Sequence, residues 1–391
     1  MHLAARVRNG LTELKFSKIS LLENAKTVDF FSEMYYYLLW KSSVARRFLR
    51  SACEPKPSEE IKMLEKCNHK RIFKKNAKFY KVNLNCRTNI SDGQFTPQEI
   101  KELYKSQGYA AVAFSDSDVM LTHHELSDGD FIAISAFEFT VCEDGGEKIS
   151  LNAIALDPAL SEIPDFVANR GEVMSKAEIV LLVRKLRECG FFVICNHPRK
   201  SLASCGSGSA LEGVDAIEII NYSSLCEGYN EYNEALYEDV LKSGTLPFCV
   251  ASDGNKNLIP FGHRACDSCG AYIMVQAEEL SYAAIADALR CGRFYSTEGP
   301  EIYNMWYRSE VLYIRCSPAD KIIFESGTRR SVYFAENGLQ LDGQGIYFWV
   351  MPEHGYARVT VIDAHGKKAF SNAIASNDLF YTYEKLEEGT L

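Results

Sequence analysis

Short apolar runs that end at polar clusters recur through the middle of the chain. Runs typical of strands lie at residues 79–84, 110–114, 131–137, 191–195, 216–220 and 247–251. The polar clusters that follow them lie at about 83–92, 115–118, 138, 196–199 and 252–256. Because the carboxyl ends of parallel strands meet at one edge of a sheet or barrel, we expect these clusters to converge on one face.

Helices are predicted between these strands. Thr96 and Glu99 form a capping box with Pro97 at the first helical position, and Ser175 and Glu178 form a second capping box. Glycines at 108 and 190 end these two helices. Further helices are predicted near 229–241 and 281–289. The alternation of strands and helices indicates an α/β fold with parallel strands.

The two ends of the chain have different patterns. Residues 1–78 predict a helical N-terminal extension, because apolar side chains recur at helical spacing at 30, 31, 34, 37 and 38. Residues 301–391 contain short alternating runs separated by turn signals, which predict a small antiparallel, sandwich-like β domain. The α/β domain is then expected to span residues 79–300.

Composition narrows the functional classes. The chain has 391 residues, a net charge of −9 and 13 cysteines. The acidic balance makes a nucleic-acid partner unlikely, and no apolar run approaches the ~18 residues of a membrane span. The N-terminus lacks the apolar core of a secretory signal, and the cysteines are scattered, so reduced thiols in a cytoplasmic protein are expected. Cys266 and Cys269 have metal-like spacing but lack a second pair.

The polar clusters resemble, in order, the motifs of the PHP (polymerase and histidinol phosphatase) family. The segment NLNCRTNISDG (83–93) resembles the opening motif [DN]-L-H-x-H-T-x-x-S-D-G. FSDSD (114–118) and SAFEFT (135–140) resemble the T-D-H and G-x-E motifs. ISLNAIAL (149–156), NHPRK (196–200), ASDGNKN (251–257) and RFYSTEGPEIY (293–303) resemble four later motifs.

The resemblance implies a distorted (β/α)7 barrel of TIM type. It also implies two or three metal ions at the strand ends, which activate water to attack a phosphoester. Carried over residue by residue, four expected metal ligands remain: Asp92, Glu138, His197 and Asp253. Five expected histidine positions are substituted, by Asn85, Arg87, Ser117, Ser150 and, depending on the alignment of the last motif, Asn255 or Lys256.

The substitutions change the expected chemistry of the site. A guanidinium stays protonated and cannot ligate a metal, so Arg87 is expected to pair with Glu138, Asp92 or Asp253. Lys256 is expected to pair with these carboxylates as well if its side chain points inward. Purely structural roles also remain open for three of these residues. Asp92 can be a turn residue before Gly93, and Asp116 and Asp118 can orient loops. The anion-binding candidates are Arg87, His197, Lys256 and Arg199.

Three functions remain open. The first is a non-catalytic or weakly active phosphoesterase-like protein, a pseudoenzyme, with a salt-bridged or anion-binding pocket. The alternative is an active phosphoesterase with one metal held by Glu138, His197 and Asp253. The third is an interaction protein that assembles through its terminal segments. The expected cofactor is none, or one zinc or manganese ion at low occupancy. The expected partner is a phosphate-bearing small molecule, not a membrane; catalytic residues and oligomeric state are unassigned.

Overall fold

The structure is a computed structural model that describes residues 69–73, 78–144, 148–167, 172–200, 212–308, 310–336, 340–341, 343 and 346–380. These residues fall within one compact unit, 64–391. Most of the predicted helical extension lies outside the described residues. Its described part includes a strand, His69–Arg71. The domain limits at 78/79 and 300/301 stay predictions.

Nineteen strands are present among the described residues. In chain order they are β1 His69–Arg71, β2 Lys78–Cys86, β3 Tyr109–Phe114, β4 Ile132–Glu143, β5 Lys148–Ala155, β6 Val173–Met174, β7 Phe191–Asn196, β8 Ala216–Asn221, β9 Phe248–Ser252, β10 Tyr272–Ala277, β11 Phe294–Thr297, β12 Ile302–Arg308, β13 Val311–Cys316, β14 Lys321–Ser326, β15 Arg330–Phe334, β16 Tyr347–Trp349, β17 Tyr356–Ile362, β18 Lys368–Ser371 and β19 Ile374–Ala375.

Six α-helices accompany these strands in the described ranges. They are α1 Pro97–Ser106, α2 Lys176–Glu188, α3 Tyr222–Cys226, α4 Glu234–Lys242, α5 Tyr282–Arg290 and α6 Ser376–Phe380. Two short 3₁₀ helices span His124–Leu126 and Pro352–His354. The fold is therefore mixed α/β, with a large sheet and few helices.

The strand pairing of the large sheet does not close it into a barrel, since β15 and β9 lie at opposite ends of the strand order. Its order is β15-β14-β17-β18-β11-β10-β2-β3-β4-β5-β7-β8-β9. Strands β2, β3 and β4 are parallel, as are β7, β8 and β9. Strand β5, which was not among the predicted strands, runs antiparallel to both β4 and β7. Only four residues separate β4 from β5, too few for the crossover that parallel pairing needs. A closed TIM barrel is not confirmed.

Backbone contacts nevertheless join the end of β2 to the segment after β9. The Gly254 N–H donates to Asn85 O at 3.0 Å, and the Arg87 N–H donates to Asn255 O at 3.2 Å. Cys86 and Asn255 form an isolated parallel bridge. Polar clusters that are 170 residues apart in sequence therefore lie beside each other.

The strands after residue 300 pair antiparallel, as their alternating pattern predicts. Strands β12, β13 and β16 form a four-stranded sheet with β1. Strands β14, β15, β17, β18 and β19 instead join the large sheet, because β18 pairs with β11. The C-terminal strands therefore contribute to two sheets.

Both predicted capping boxes are present, at Thr96/Glu99 and Ser175/Glu178. Helix α4 begins at Glu234, later than the predicted 229. The difference has a physical reason: Glu231, just before the helix, accepts backbone N–H bonds from residues 199 and 200, so this segment is held against the NHP loop.

Two further expectations concern membranes and thiols. In the described ranges, no helix is long and apolar enough to cross a membrane. The cysteines that the structure describes are free thiols, which matches the reading of scattered, reduced cysteines.

Candidate functional site

The candidate site is built around the carboxylate of Glu138, near the middle of β4 and only 3% exposed. Its Oε2 accepts hydrogen bonds from Asn85 Nδ2 at 3.1 Å and from Asn196 Nδ2 at 2.8 Å. Its Oε1 accepts from Ser150 Oγ at 2.8 Å and from Arg87 Nη2 at 2.6 Å. Three side chains at positions where the resemblance implies histidine, Asn85, Arg87 and Ser150, therefore donate to one carboxylate.

Arg87 continues this network outward. Its Nη1 donates to both oxygens of Asp92 at 2.8 Å, and Lys256 Nζ lies 2.9 Å from Asp92 Oδ2. His197 Nε2 lies 3.6 Å from Glu138 Oε1 on the inner side. We call these five residues the Arg87 network. Two of the three partners suggested for Arg87, namely Glu138 and Asp92, are present, and Lys256 does point toward the site.

The network sets the charge states of its members. Burial alone raises the pKa of Glu138, but the Arg87 charge, the nearby His197 and the Ser150 hydrogen bond outweigh it and hold that pKa well below its usual value. Hydrogen bonds from Arg87 and Lys256 outweigh partial burial in the same way and lower the pKa of Asp92. Burial lowers the pKa of His197, but Glu138 more than offsets this and raises it overall.

Asp253 points to a different set of partners. Its Oδ2 accepts from Tyr104 OH at 2.7 Å and from the Cys269 N–H at 2.8 Å. Its Oδ1 accepts from the N–H groups of Gly270 at 2.8 Å and Ala271 at 3.0 Å. Burial raises its pKa to about 6 despite these bonds. Asp253 thus ties the end of β9 to α1 and to the segment before β10, and no Arg87–Asp253 pair occurs among the described contacts.

The two remaining substituted positions contribute mainly through their backbones or buried amides. Ser117 forms an isolated parallel bridge with Glu138. Asn255 is fully buried, and its Oδ1 lies 3.5 Å from Asn83 Nδ2. Asn255 is buried beside Asn83, and Lys256 reaches Asp92, so the alignment of the last motif stays a prediction.

Two buried glutamates that sequence analysis did not single out hold the NHP loop. The His197 N–H donates to Glu218 Oε2 at 2.6 Å, and His197 has a positive φ of 27°. The N–H groups of Arg199 and Lys200 donate to Glu231 at 3.0 and 2.9 Å. Burial raises the pKa of Glu218 to about 7. A glutamate inside the apolar run AIEII is the signal that marks Glu218. The Arg199 side chain is exposed.

Asp116 fixes the loop that carries Asp92. It accepts hydrogen bonds from Thr88 N and Thr88 Oγ1, both at 2.8 Å, and from Ser91 Oγ at 2.5 Å. The role expected for Asp116, orienting a loop, is confirmed. The residue after Asp92 is a glycine, Gly93, and a Cβ at this position would lie only 2.7 Å from the Arg87 carbonyl oxygen. Asp92 is therefore presented to Arg87 by a loop of defined shape.

The residues present do not fit a metal centre. No group of three or more His, Cys, Asp or Glu side chains that could hold a metal occurs within the described ranges. Both oxygens of Glu138 already accept hydrogen bonds, one of them from a guanidinium that repels a cation. Asp92 lies beyond Arg87, and the oxygens of Asp253 are engaged elsewhere. Binding a divalent ion would require these bonds to break.

Two surface clefts lie away from this network. One, of about 380 Å³, is lined by residues of α2 and by Glu212. The other, of about 300 Å³, is lined by residues 276–279, Ala284, Asp287 and Arg293. Neither is lined by a member of the Arg87 network.

Comparison with known proteins gives structural neighbours only. No protein-family model and no curated protein matches the chain. Among solved structures, the chain is similar to a two-domain protein from Bacteroides vulgatus that contains a PHP-like metal-dependent phosphoesterase. The identity is 14%, 77% of this chain and 97% of that chain are covered, and the TM-score is 0.39.

Two further structures each cover 44% of this chain and 86% of the other chain. One is a metal-dependent phosphoesterase from Bifidobacterium adolescentis, with 13% identity and a TM-score of 0.33. The other is an amidohydrolase from Chromobacterium violaceum with bound sulfate and no metal, with 12% identity and a TM-score of 0.31. The chain is thus similar to PHP-like proteins at low identity, and at these TM-scores the likeness carries no argument about its chemistry.

Proposed function

We propose that this chain is a PHP-like protein in which the Arg87 network replaces the metal centre, and that it binds a phosphate-bearing small molecule without hydrolysing it. The observation that carries the proposal is the position of the Arg87 guanidinium, 2.6 Å from Glu138 Oε1 and 2.8 Å from both oxygens of Asp92. The distorted (β/α)7 barrel is part of this proposal, with β2 to β5 and β7 to β9 as its seven strands.

The donor set argues against hydrolysis. A metal-activated water needs an ion with an open coordination position, and that ion needs several unprotonated ligands. Here Glu138 is neutralised by Arg87 and surrounded by amide and hydroxyl donors. The one-metal alternative also needs Asp253, whose oxygens accept four hydrogen bonds from other groups.

The outer half of the network argues for an anion. Asp92 is 43% exposed, and both of its oxygens accept from the Nη1 group of Arg87, while Lys256 Nζ lies 2.9 Å from Oδ2. Phosphate oxygens can accept from the same charged N–H donors. Asp92 therefore acts as an internal competitor that an incoming phosphate displaces, while Glu138 keeps Arg87 in place from the buried side.

The first test is metal content. Protein purified without chelator is analysed for bound metals, titrated with Zn²⁺ and Mn²⁺ while thermal unfolding is followed, and assayed with p-nitrophenyl phosphate. We expect almost no metal, no stabilisation and no hydrolysis. About one tightly held ion per chain, lost in Glu138→Gln but kept in the control Glu325→Gln, would overturn the proposal in favour of the one-metal phosphoesterase. Glu325 suits the control because it is a buried glutamate paired with Arg358 and Arg330.

A further inference from the structure

An exposed apolar loop follows directly after Lys256. Residues 258–264, with the sequence LIPFGHR, are exposed without interruption. Leu258 is 56% exposed and Phe261 is 47% exposed. Single exposed apolar side chains are ordinary on a protein surface, whereas the largest contiguous apolar patch of a protein is often a functional one.

The base of this loop is anchored. The Asp267 carboxylate accepts hydrogen bonds from the backbone N–H of Lys256 at 2.7 Å and of Asn257 at 3.2 Å. The Ser268 hydroxyl donates to Asn257 Oδ1. Asn257 has a φ of 57°, a left-handed conformation that turns the chain outward. The exposure of the apolar side chains is therefore imposed by the base of the loop.

A further exposed apolar side chain, Ile90, lies on the neighbouring loop. The Gln94 N–H donates to Lys256 O at 2.8 Å, which joins the loop carrying Asp92 to the start of the apolar loop. Ile90, on the same loop as Asp92, is 36% exposed. Apolar side chains therefore occur on both loops that form the Asp92–Lys256 ion pair.

The charge of this region complements an anion. The exposed residues 258–264 include His263 and Arg264 and no aspartate or glutamate. The acidic residues on either side, Asp253 and Asp267, are buried, so the exposed part of this loop is cationic. Cations beside apolar side chains suit a ligand with a negative head and an apolar tail.

We propose, on the basis of the proposed function, that the ligand is an amphiphilic phosphate monoester. Its phosphate displaces Asp92 from Arg87 and Lys256, and its hydrocarbon part lies against Leu258, Ile259 and Phe261. The loop is too small to be the interface with a second copy. An exposed large side chain contributes on the order of 150–250 Å² when it is fully buried, so three half-exposed ones supply roughly 300 Å², against about 800 Å² per partner in a stable interface.

The test is a chain-length series measured by isothermal titration on the full chain. The probes are inorganic, ethyl, butyl and hexyl phosphate, each below its micelle concentration. We expect affinity to rise about fourfold for each methylene that becomes buried. Leu258→Asn and Phe261→Ser should each reduce this gain per methylene. The matched control is Phe334→Ser, at a 58% exposed phenylalanine of β15, which should keep the full gain.

The outcomes separate the two proposals. If neither inorganic nor alkyl phosphate binds, the proposed function fails. If inorganic phosphate binds but the series is flat, only the amphiphile inference is overturned. It is also overturned if phosphatidylcholine–phosphatidylglycerol vesicles at 3:1 capture the wild type but not Phe261→Ser, because the loop then binds a lipid surface. A dimer in light scattering that Phe261→Ser dissociates would overturn it in favour of a second copy.

Discussion

Replacing Asp92 by Asn should strengthen phosphate binding. In the structure, the Asp92 carboxylate occupies the donors of Arg87 and Lys256 that an anion would use. The substitution keeps the size of the side chain and removes its negative charge. Two like charges about 4–5 Å apart interact by ~1 kcal/mol in water and by ~4 kcal/mol at a protein surface. Because Asp92 is 43% exposed, we take a value near the lower limit, about 1.4 kcal/mol, which is a tenfold gain in affinity.

The assay is isothermal titration with inorganic phosphate at low and at moderate salt. Arg87→Gln should lose most of the binding, because it removes the charged Nη1 donor that faces Asp92. The control is Asp128→Asn, since Asp128 is a similarly exposed aspartate held by Lys101 and Lys105. It should leave phosphate affinity within about twofold of wild type. The gain in Asp92→Asn should shrink as salt screens the charges.

The opposite result would refute the reasoning. If Asp92 were a metal ligand, Asp92→Asn would weaken both metal and phosphate binding. A phosphate affinity that falls in Asp92→Asn, together with bound zinc that the same variant loses, would show that Asp92 assists the ligand. An unchanged affinity would show that phosphate binds somewhere other than at the Arg87 network.

Three further outcomes test the inner half of the site by chemical and thermal unfolding. Arg87→Met should cost about 3 kcal/mol of unfolding free energy, because it leaves Glu138 buried without its cation, and adding Glu138→Gln to Arg87→Met should recover part of this loss. The control Arg187→Met, at a pair whose arginine is 47% exposed, should cost less. Asp253→Asn should cost about 2 kcal/mol without changing metal content, because an amide N–H₂ would oppose backbone donors. His197→Asn should destabilise most below pH 6.5, because the raised pKa of His197 makes its stabilisation complete below the unfolded value. That stabilisation is lost as pH rises through the folded pKa, so the melting temperatures of the two proteins should approach each other with rising pH.

Local signals in the sequence predicted local structure well. The capping boxes at Thr96 and Ser175 are present because the two partners of each box lie three residues apart, so no tertiary information is needed. The buried face of α2, from Ile179 to Leu186, follows from helical periodicity alone. Strand β5 was not among the predicted strands, and the direction of a buried run cannot be told from its sequence.

The direction of polar side chains was harder to predict. Asp253 follows a buried strand, as a metal ligand would, but its partners are backbone N–H groups of residues 269–271. Every residue carries such a donor, so no sequence motif marks these three. Glu231 was missed for the same reason, since its partners include the N–H groups of Arg199 and Lys200.

The side chains at positions 85, 87 and 150 all act on the same buried carboxylate. A carboxylate as buried as Glu138 is costly unless it is paired and hydrogen-bonded, and loss of a metal alone would leave it uncompensated. Asn85 and Ser150 supply neutral hydrogen bonds, and Arg87 supplies the balancing charge. These three positions are separate in sequence, and their convergence on one side chain is what would compensate Glu138 in the metal-free pocket that we propose. Replacing Arg87 by histidine therefore removes the counter-charge of Glu138 and does not by itself supply a metal site. We expect the Arg87→His variant to lose stability without gaining zinc.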